Sequence, residues 1–565
     1  MRILIIGAVA GGTSAAAKAR RNDEACDIVI YEKDMDISYS GCGLPYYIGD
    51  DSISRETMVP RDAKYFKSKY NVDVLTSHEV RKIYADRKEI EVCNLATNKV
   101  FTDSYDKLVI STGATAVMPP IEGLSADNSF VLRNVKSADK IKDYIIENEP
   151  RRAAIIGTGF IGLEMVESLV KRGIKVTLIE KENRVMPSLD EDMSFYLEDY
   201  LKKKGVKIFL GKQIERVRGS LDDVEIVLDN GVVIEADFIV VAAGIRPQIE
   251  LARAAGIKIG ETGAIWVDKQ MQTSIKDVFA CGDCAESYFL INSKPIYRPL
   301  GSTANKMGRL VGDAIFGKDV AFRGILGTGI FKVFDMTVAQ TGMSEEASRK
   351  EGLDVIVCHN IKPDRPEYMG GKNLFIKAVA LKESGLIIGV QIIGESGVDK
   401  RIDVFVTAMT FGAKAQDLFH LDLAYAPPFS TTKDPVMYTG MILENALFND
   451  RELISPTELE QEIKLNPSVQ IIDARSATQY EENHVENATN MPQEAVRKAK
   501  ETIDPQSPVV VYCNKGTTGN AVQNILINSG FKKVYNLSGG HQLYKKIKDM
   551  RKQRSDEESE DERKL

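Results

Sequence analysis

Seven cysteines in 565 residues, odd in number and scattered, are too few for a disulfide framework. They fit a reducing compartment with one or two reactive thiols. No run approaches the roughly 18 apolar residues of a membrane span. The apolar start is a strand broken by glycines, with no small-residue cleavage site behind it. A membrane or exported protein is therefore not expected, and the cytoplasm is. A basic surplus is also lacking: the formal charge is −7, of which −4 lies in Ser555 to Leu565, with six acids against two bases. Nothing suggests a nucleic-acid partner. Cys281-Gly-Asp-Cys284 has CxxC spacing but no partner ligands nearby, so packing is expected there and no metal centre.

What is present begins with a buried-strand pattern, Arg2 to Ile6, running into Gly7-Ala-Val-Ala-Gly11-Gly12 and an alanine-rich helix. Such a turn lets backbone approach a pyrophosphate. A second strand, Asp27 to Tyr31, ends in Glu32, placed to accept a hydrogen bond from a ribose hydroxyl. The pattern recurs at Ala153 to Ile156, with Gly157, Gly159 and Gly162, and a strand from Lys175 closing in Glu180. Two dinucleotides are the economical reading. Glu180 would repel a 2′-phosphate, favouring NADH over NADPH, although Lys181 softens that repulsion. A length of 565 residues exceeds one core and predicts two to four domains.

Two further strands end in small-residue turns, Thr112-Gly113-Ala114 and Ala243-Gly244, and a third leads to Cys281-Gly282-Asp283. This ordered set resembles the pyridine nucleotide-disulfide oxidoreductase flavoproteins over residues 1 to about 445. The resemblance implies an α/β chain with two Rossmann-like domains and an α+β dimerisation domain. FAD would be held by residues 1–149 and 268–324, with Asp283 on the ribityl chain, and the nicotinamide nucleotide by 150–267. Residues 325–445 would build a homodimer. Phe160 would be an aromatic gate over the flavin, and Glu164 would orient the nicotinamide.

Cys42, in Ser-Gly-Cys42-Gly-Leu-Pro45-Tyr-Tyr47, stands ten residues after Glu32. Its glycines allow close approach, Pro45 suits a first helical turn, and a helix N-terminus favours thiolate. Within the family one branch carries a CxxxxC pair, which Tyr47 rules out here, and peroxide- and oxygen-reducing members carry a histidine where this chain has Val9. The Cys42 segment instead resembles the coenzyme A disulfide and persulfide reductases, which implies that coenzyme A is substrate or ligand. That likeness points to Ser14, Lys18, Arg21, Ser38, Asn305 and Lys433 as coenzyme A pocket residues. It also marks Tyr425 and Tyr368 as phenols sent across the dimer to donate a proton.

After a 446–452 linker, residues 453–550 resemble a single rhodanese domain. Strand Val469 to Asp473, the segment His484 to Pro492, and strand Val509 to Tyr512 lead to Cys513-Asn-Lys-Gly516-Thr-Thr518-Gly519. Backbone amides converging on Cys513 would stabilise a persulfide. Thr518 replaces an arginine common in sulfurtransferases and puts thiosulfate binding in doubt. Residues 551–565 are expected to be an acidic, disordered tail.

These readings make the chain an NADH-dependent FAD enzyme reducing coenzyme A disulfide, coenzyme A persulfide or polysulfide through Cys42, with small-molecule thiols and persulfides as partners. Two alternatives remain open: an NADH oxidase or peroxidase working through a cysteine sulfenic acid, and a sulfur-carrier or sensing protein with a vestigial flavin half.

Overall fold

The repeated strand–glycine turn–helix pattern produces two parallel sheets. The computed structural model describes residues 1–564, with side chains through 557. Its first compact unit comprises Met1–Lys181 and Val206–Gly327; its second comprises Glu182–Gly205 and the chain from Thr328 onward. In the first unit, Arg2–Ile6 pairs in parallel with Asp27–Tyr31 on one side and Lys107–Ile110 on the other. Leu4, Ile5, Ile28 and Ile30 are buried, as expected for strands covered on both faces. The chain then builds a second five-stranded sheet with Arg152–Ile156 at its centre. Afterwards it returns to add Val278–Ala280 to the edge of the first. The second sheet is thus built between two segments of chain that contribute to the first.

The second unit holds a five-stranded antiparallel sheet, from Gly329–Val333 to Val355–Pro363, and a five-stranded sheet centred on Val509–Tyr512. The latter is parallel throughout. One helix departs from the sequence boundaries: Glu191–Lys203 lies within 150–267 but clusters with this unit. Its Asp192 pairs with Lys377, and its Tyr196 ring lies 4.0 Å from that of Phe375.

The expected disordered tail is corrected. A helix, Gly540–Lys564, runs through it. Arg551 pairs with Glu460 and Glu191, Arg554 with Glu198, and Lys202 with Glu557. Composition marked the segment as too acidic and too poor in apolar groups to bury a core, whereas Arg551 and Arg554 meet carboxylates contributed from elsewhere in the chain. Leu565 lies outside the described residues. Among the described residues no helix is long and apolar enough to cross a membrane.

Candidate functional site

Both glycine turns form cradles that only glycine permits. Gly7 has φ +105°, and a Cβ on Gly12 would stand 1.9 Å from the Gly7 carbonyl oxygen. Gly157 has φ +100°, and a Cβ on Gly162 would come within 2.1 Å of its oxygen. The acids closing each unit serve the turns as well: Glu32 accepts from the Ala8 and Asp34 amides, Glu180 from the Thr158 amide and hydroxyl. Burial raises the Glu32 pKa against those amide bonds. Gly159 is exposed and Phe160 half-buried at the start of helix Phe160–Lys171. In the small-residue turn, Gly113 takes φ +73° and the Thr112 hydroxyl donates to the Gln248 carbonyl at 2.8 Å. These cradles, empty of competing side chains, fit dinucleotide pyrophosphates.

Cys42 is exposed in a single 3-10 turn, Gly41–Gly43, ahead of helix Leu44–Gly49, whose first turn holds Pro45. The thiol does not match the expected depression. Loss of hydration in its recess pushes its pKa up, and the Glu164 and Asp283 carboxylates push it further, against Arg133. A six-residue helix behind a tight turn offers too little to offset two carboxylates. Arg133 was not legible as a site residue: its guanidinium pairs with Asp283 at 2.9 Å and donates to the Ala114 carbonyl. Only the chain's return through Val278–Ala280 brings Asp283 within reach.

Glu164 accepts from the Tyr46 hydroxyl at 3.2 Å, and burial pushes its pKa up to about 7. It therefore ionises within the working range. Glu164→Gln is expected to move the pH midpoint of Cys42 alkylation by iodoacetamide to lower pH, because a charge raising the thiol pKa is removed. An unchanged midpoint would show that the two groups do not interact. Tyr47, where a second cysteine would stand, is buried, donates to Asp139 at 3.0 Å and carries Lys142 over its ring. Its role is to anchor the helix.

Five of the six expected pocket residues converge. Ser14, Lys18, Arg21, Ser38 and Asn305 line one cavity of about 520 Å³, with Val9 in its wall. The Ser14 hydroxyl donates to Asn305 at 2.6 Å, joining helices Ala10–Asn22 and Gly301–Ala314. Those helices touch backbone to backbone, since a Cβ on Gly308 would lie 2.1 Å from the Gly11 oxygen. Lys18 is already paired with Asp313 at 3.1 Å. The cavity's other cations are Arg21 and two guanidiniums the sequence reading missed, Arg61 and Arg309. Arg309 had a signal, standing four residues beyond Asn305 on one helix face.

Lys433 is the sixth expected residue; it belongs to the second unit and is absent from the cavity lining. Tyr425 and Tyr368, also in the second unit, are 50% and 76% exposed. The segment bearing Tyr425 is held by Arg401, which is buried, pairs with Asp434 at 2.9 Å and donates to the Phe429 carbonyl.

Cys513 is 6% exposed at the end of strand Val509–Tyr512, and the Gly516 amide donates to its sulfur at 3.2 Å. Gly516, at φ +94°, opens helix Thr517–Asn528. The start of helix Gly540–Lys564 closes from behind, the His541 amide donating to the Cys513 carbonyl at 2.8 Å. Beneath lies a buried Asp473–Arg475 pair at 2.6 Å that the sequence reading did not single out. Cys26, Cys93, Cys281, Cys284 and Cys358 are buried. Burial pushes Cys26 up to about 11 and Cys358 up to about 12, and it raises both thiols of the CxxC segment. Among the described residues no group of side chains could hold a metal ion.

Residues 1–305 match the family described as pyridine nucleotide-disulphide oxidoreductase, 329–435 its dimerisation domain, and 455–547 the rhodanese-like domain. The NAD(P)H sulfur oxidoreductase (CoA-dependent) of Pyrococcus furiosus is 35% identical over 447 residues, covering 78% of this chain and 99% of that protein. The structure of reduced Bacillus anthracis CoADR-RHD superposes with a TM-score of 0.94 at 35% identity, covering 97% of this chain and 98% of that one. An NAD-dependent persulfide reductase from A. fulgidus gives 0.88 at 37% identity, covering 96% and 100%.

Proposed function

Because this chain belongs to the pyridine nucleotide-disulphide oxidoreductase family, we propose that it reduces coenzyme A disulfide, coenzyme A persulfide or polysulfide with a nicotinamide nucleotide. The observation that carries this reading is one lone exposed thiol, Cys42, in the same unit as a cavity lined by Ser14, Arg21, Arg61 and Arg309. A phosphate-rich carrier needs cations at fixed positions, and guanidiniums bind phosphate oxygens in pairs. The turns at Gly7–Gly12 and Gly157–Gly162 suit FAD and the nicotinamide nucleotide, with NADH favoured by Glu180. Bound there, the pair supplies transfer of two electrons to a sulfur–sulfur bond.

The chain's own residues do the rest. The Cys42 thiolate attacks a disulfide or sulfane sulfur, and the thiolate released takes a proton. Tyr425, exposed in the dimerisation region, is the donor we assign, acting on the other subunit of a homodimer built through 325–445, with Tyr368 as a second phenol. Cys513 carries sulfane sulfur on the rhodanese domain. Free, unpaired thiols suit the reducing cytoplasm.

Steady-state NADH oxidation by the purified chain tests the reading. Turnover is expected with coenzyme A persulfide or disulfide as acceptor. Turnover confined to hydrogen peroxide or oxygen would replace this reading by the oxidase or peroxidase, and no turnover with any acceptor would leave a sulfur carrier.

A further inference from the structure

The rhodanese loop lacks the arginine that a sulfurtransferase uses to hold an oxyanion, having Thr518 in its place. Within the second unit, positive charge arrives from elsewhere. Lys362, on strand Val355–Pro363 of the antiparallel sheet, extends its ammonium to the Thr517 hydroxyl at 2.9 Å, on the first residue of the helix after Cys513. In the opposite direction Lys515, inside the Cys513 loop, donates to the Asn373 side chain at 2.9 Å. Lys362 lies 4.2 Å over the Tyr438 ring, and Lys433 approaches the same ring at 6.0 Å.

Among the described residues none of these three ammoniums has a carboxylate at ion-pairing distance. Glu367 is close enough only to favour the charge of Lys515 weakly against burial. Burial lowers the Lys362 pKa, Lys515 and then Lys433 add to the lowering, and Cys513 opposes it. Lys362 and Lys515 are half-buried and Lys433 is exposed beside them; like charges gathered there repel one another, and a bound anion relieves the repulsion. Cys513 is close enough to act on the Lys362 charge, and its sulfur accepts from the Gly516 amide.

We propose that Lys362, Lys433 and Lys515 form an oxyanion subsite beside Cys513, shared between the antiparallel sheet and the rhodanese loop, that seats the sulfonate end of a sulfane-sulfur donor such as thiosulfate. This rests on reading Cys513 as a sulfur-loading thiol. In the step, the Cys513 thiolate bonds to the outer sulfur of thiosulfate. The bond from that sulfur to the sulfonate breaks, and its electron pair leaves with sulfite. One thiolate and one dianion become one persulfide anion and one dianion, so no outside oxidant or reductant is needed. The lysines hold the dianion before and after transfer, Lys362 and Lys433 from outside the loop and Lys515 from within it, supplying the charge that Thr518 does not.

The test uses the full chain and follows sulfite release from thiosulfate with cyanide as sulfur acceptor. Lys362→Gln and Lys515→Gln are each expected to raise the thiosulfate KM about tenfold, the scale of a lost charge-assisted hydrogen bond. Lys362→Arg should restore most of it, and added salt should raise KM in the parent chain more than in the double variant. An uncharged alkyl hydropersulfide should load Cys513 equally in all of them. Unchanged thiosulfate KM, equal losses with the uncharged donor, no loading of the parent chain, or a defect confined to coenzyme A persulfide would each overturn the proposal. NADH-driven reduction of coenzyme A disulfide, measured on the same preparations, reports separately on the function proposed above.

Discussion

Cys42→Ser is expected to bring NADH-driven reduction of coenzyme A persulfide and disulfide to background, a loss on the order of 10⁴-fold or more, the scale for removing a nucleophile. No other thiol can stand in. Position 47 is an anchored tyrosine, and the remaining cysteines of the first unit are buried. A serine hydroxyl preserves shape but neither attacks sulfur nor forms a sulfur–sulfur bond. Mass spectrometry should show coenzyme A joined to Cys42 in the parent chain after limited turnover, and no adduct in the variant. Cys513→Ser should keep reduction of small thiol persulfides, because in this reading Cys513 only delivers sulfur. Full activity in Cys42→Ser would sink the mechanism.

Asp192→Ala is expected to destabilise the second unit by about 2–3 kcal/mol, the scale of a lost charge-assisted hydrogen bond, because buried Lys377 keeps two other carboxylates. Lys377, 2% exposed on strand Asn373–Leu381, is held between Asp192 at 2.8 Å, Glu345 at 2.8 Å and Asp190 at 3.2 Å. Burial alone would lower the Lys377 pKa, but the three carboxylates raise it well above the ordinary lysine value. Asp192 also accepts from His359 at 2.7 Å, whose amide and other ring nitrogen meet the Ser538 hydroxyl. Ser538 lies three residues before His541, which closes the Cys513 loop from behind. The loss should therefore appear in urea unfolding and also in protease sensitivity of the rhodanese segment.

Although burial opposes it, Lys377 and then His359 hold the folded Asp192 pKa far below the ordinary value. Its contribution is therefore fully present above the unfolded pKa of about 4 and is lost as pH falls below that. The parent chain should lose stability on acidification below about pH 4, and Asp192→Ala should lose less over the same interval. A change under about 1 kcal/mol at neutral pH would mean that the cluster only breaks even with its desolvation.

Much of the site was legible because its parts are local. A glycine turn between a buried strand and a helix is written in consecutive residues, so Gly7 to Gly12 and Gly157 to Gly162 carried their geometry with them. Pro45 marked the helix behind Cys42 for the same reason. The five cavity residues were reached through likeness to a family rather than spacing, since Ser14 and Asn305 are 291 residues apart.

Charge was the least legible property. The Cys42 thiol was expected to be depressed and is raised, first by loss of hydration and then by Glu164 and Asp283, which enter its surroundings from distant segments. Lys18 was read as a pocket cation; it lines the cavity, but its charge is already paired with Asp313. The acidic tail was read as disordered, yet Arg551 and Arg554 find carboxylates that no window around them contains.

The sequence by itself determined the order of parts: two dinucleotide turns, one isolated thiol, a dimerisation segment and a second thiol on a rhodanese loop. The turns and the isolated thiol depend on backbone geometry and on which residue types are missing from neighbouring positions, whereas the dimerisation segment and the rhodanese loop were reached through likeness to known families. Tertiary structure alone decided which charges face which thiol. It set Arg133 against Asp283, tuned Glu164 to about pH 7 beside Tyr46, and brought Lys362 to the helix after Cys513. Electrostatic energy depends on distance through space and on burial, and neither is a function of separation along the chain.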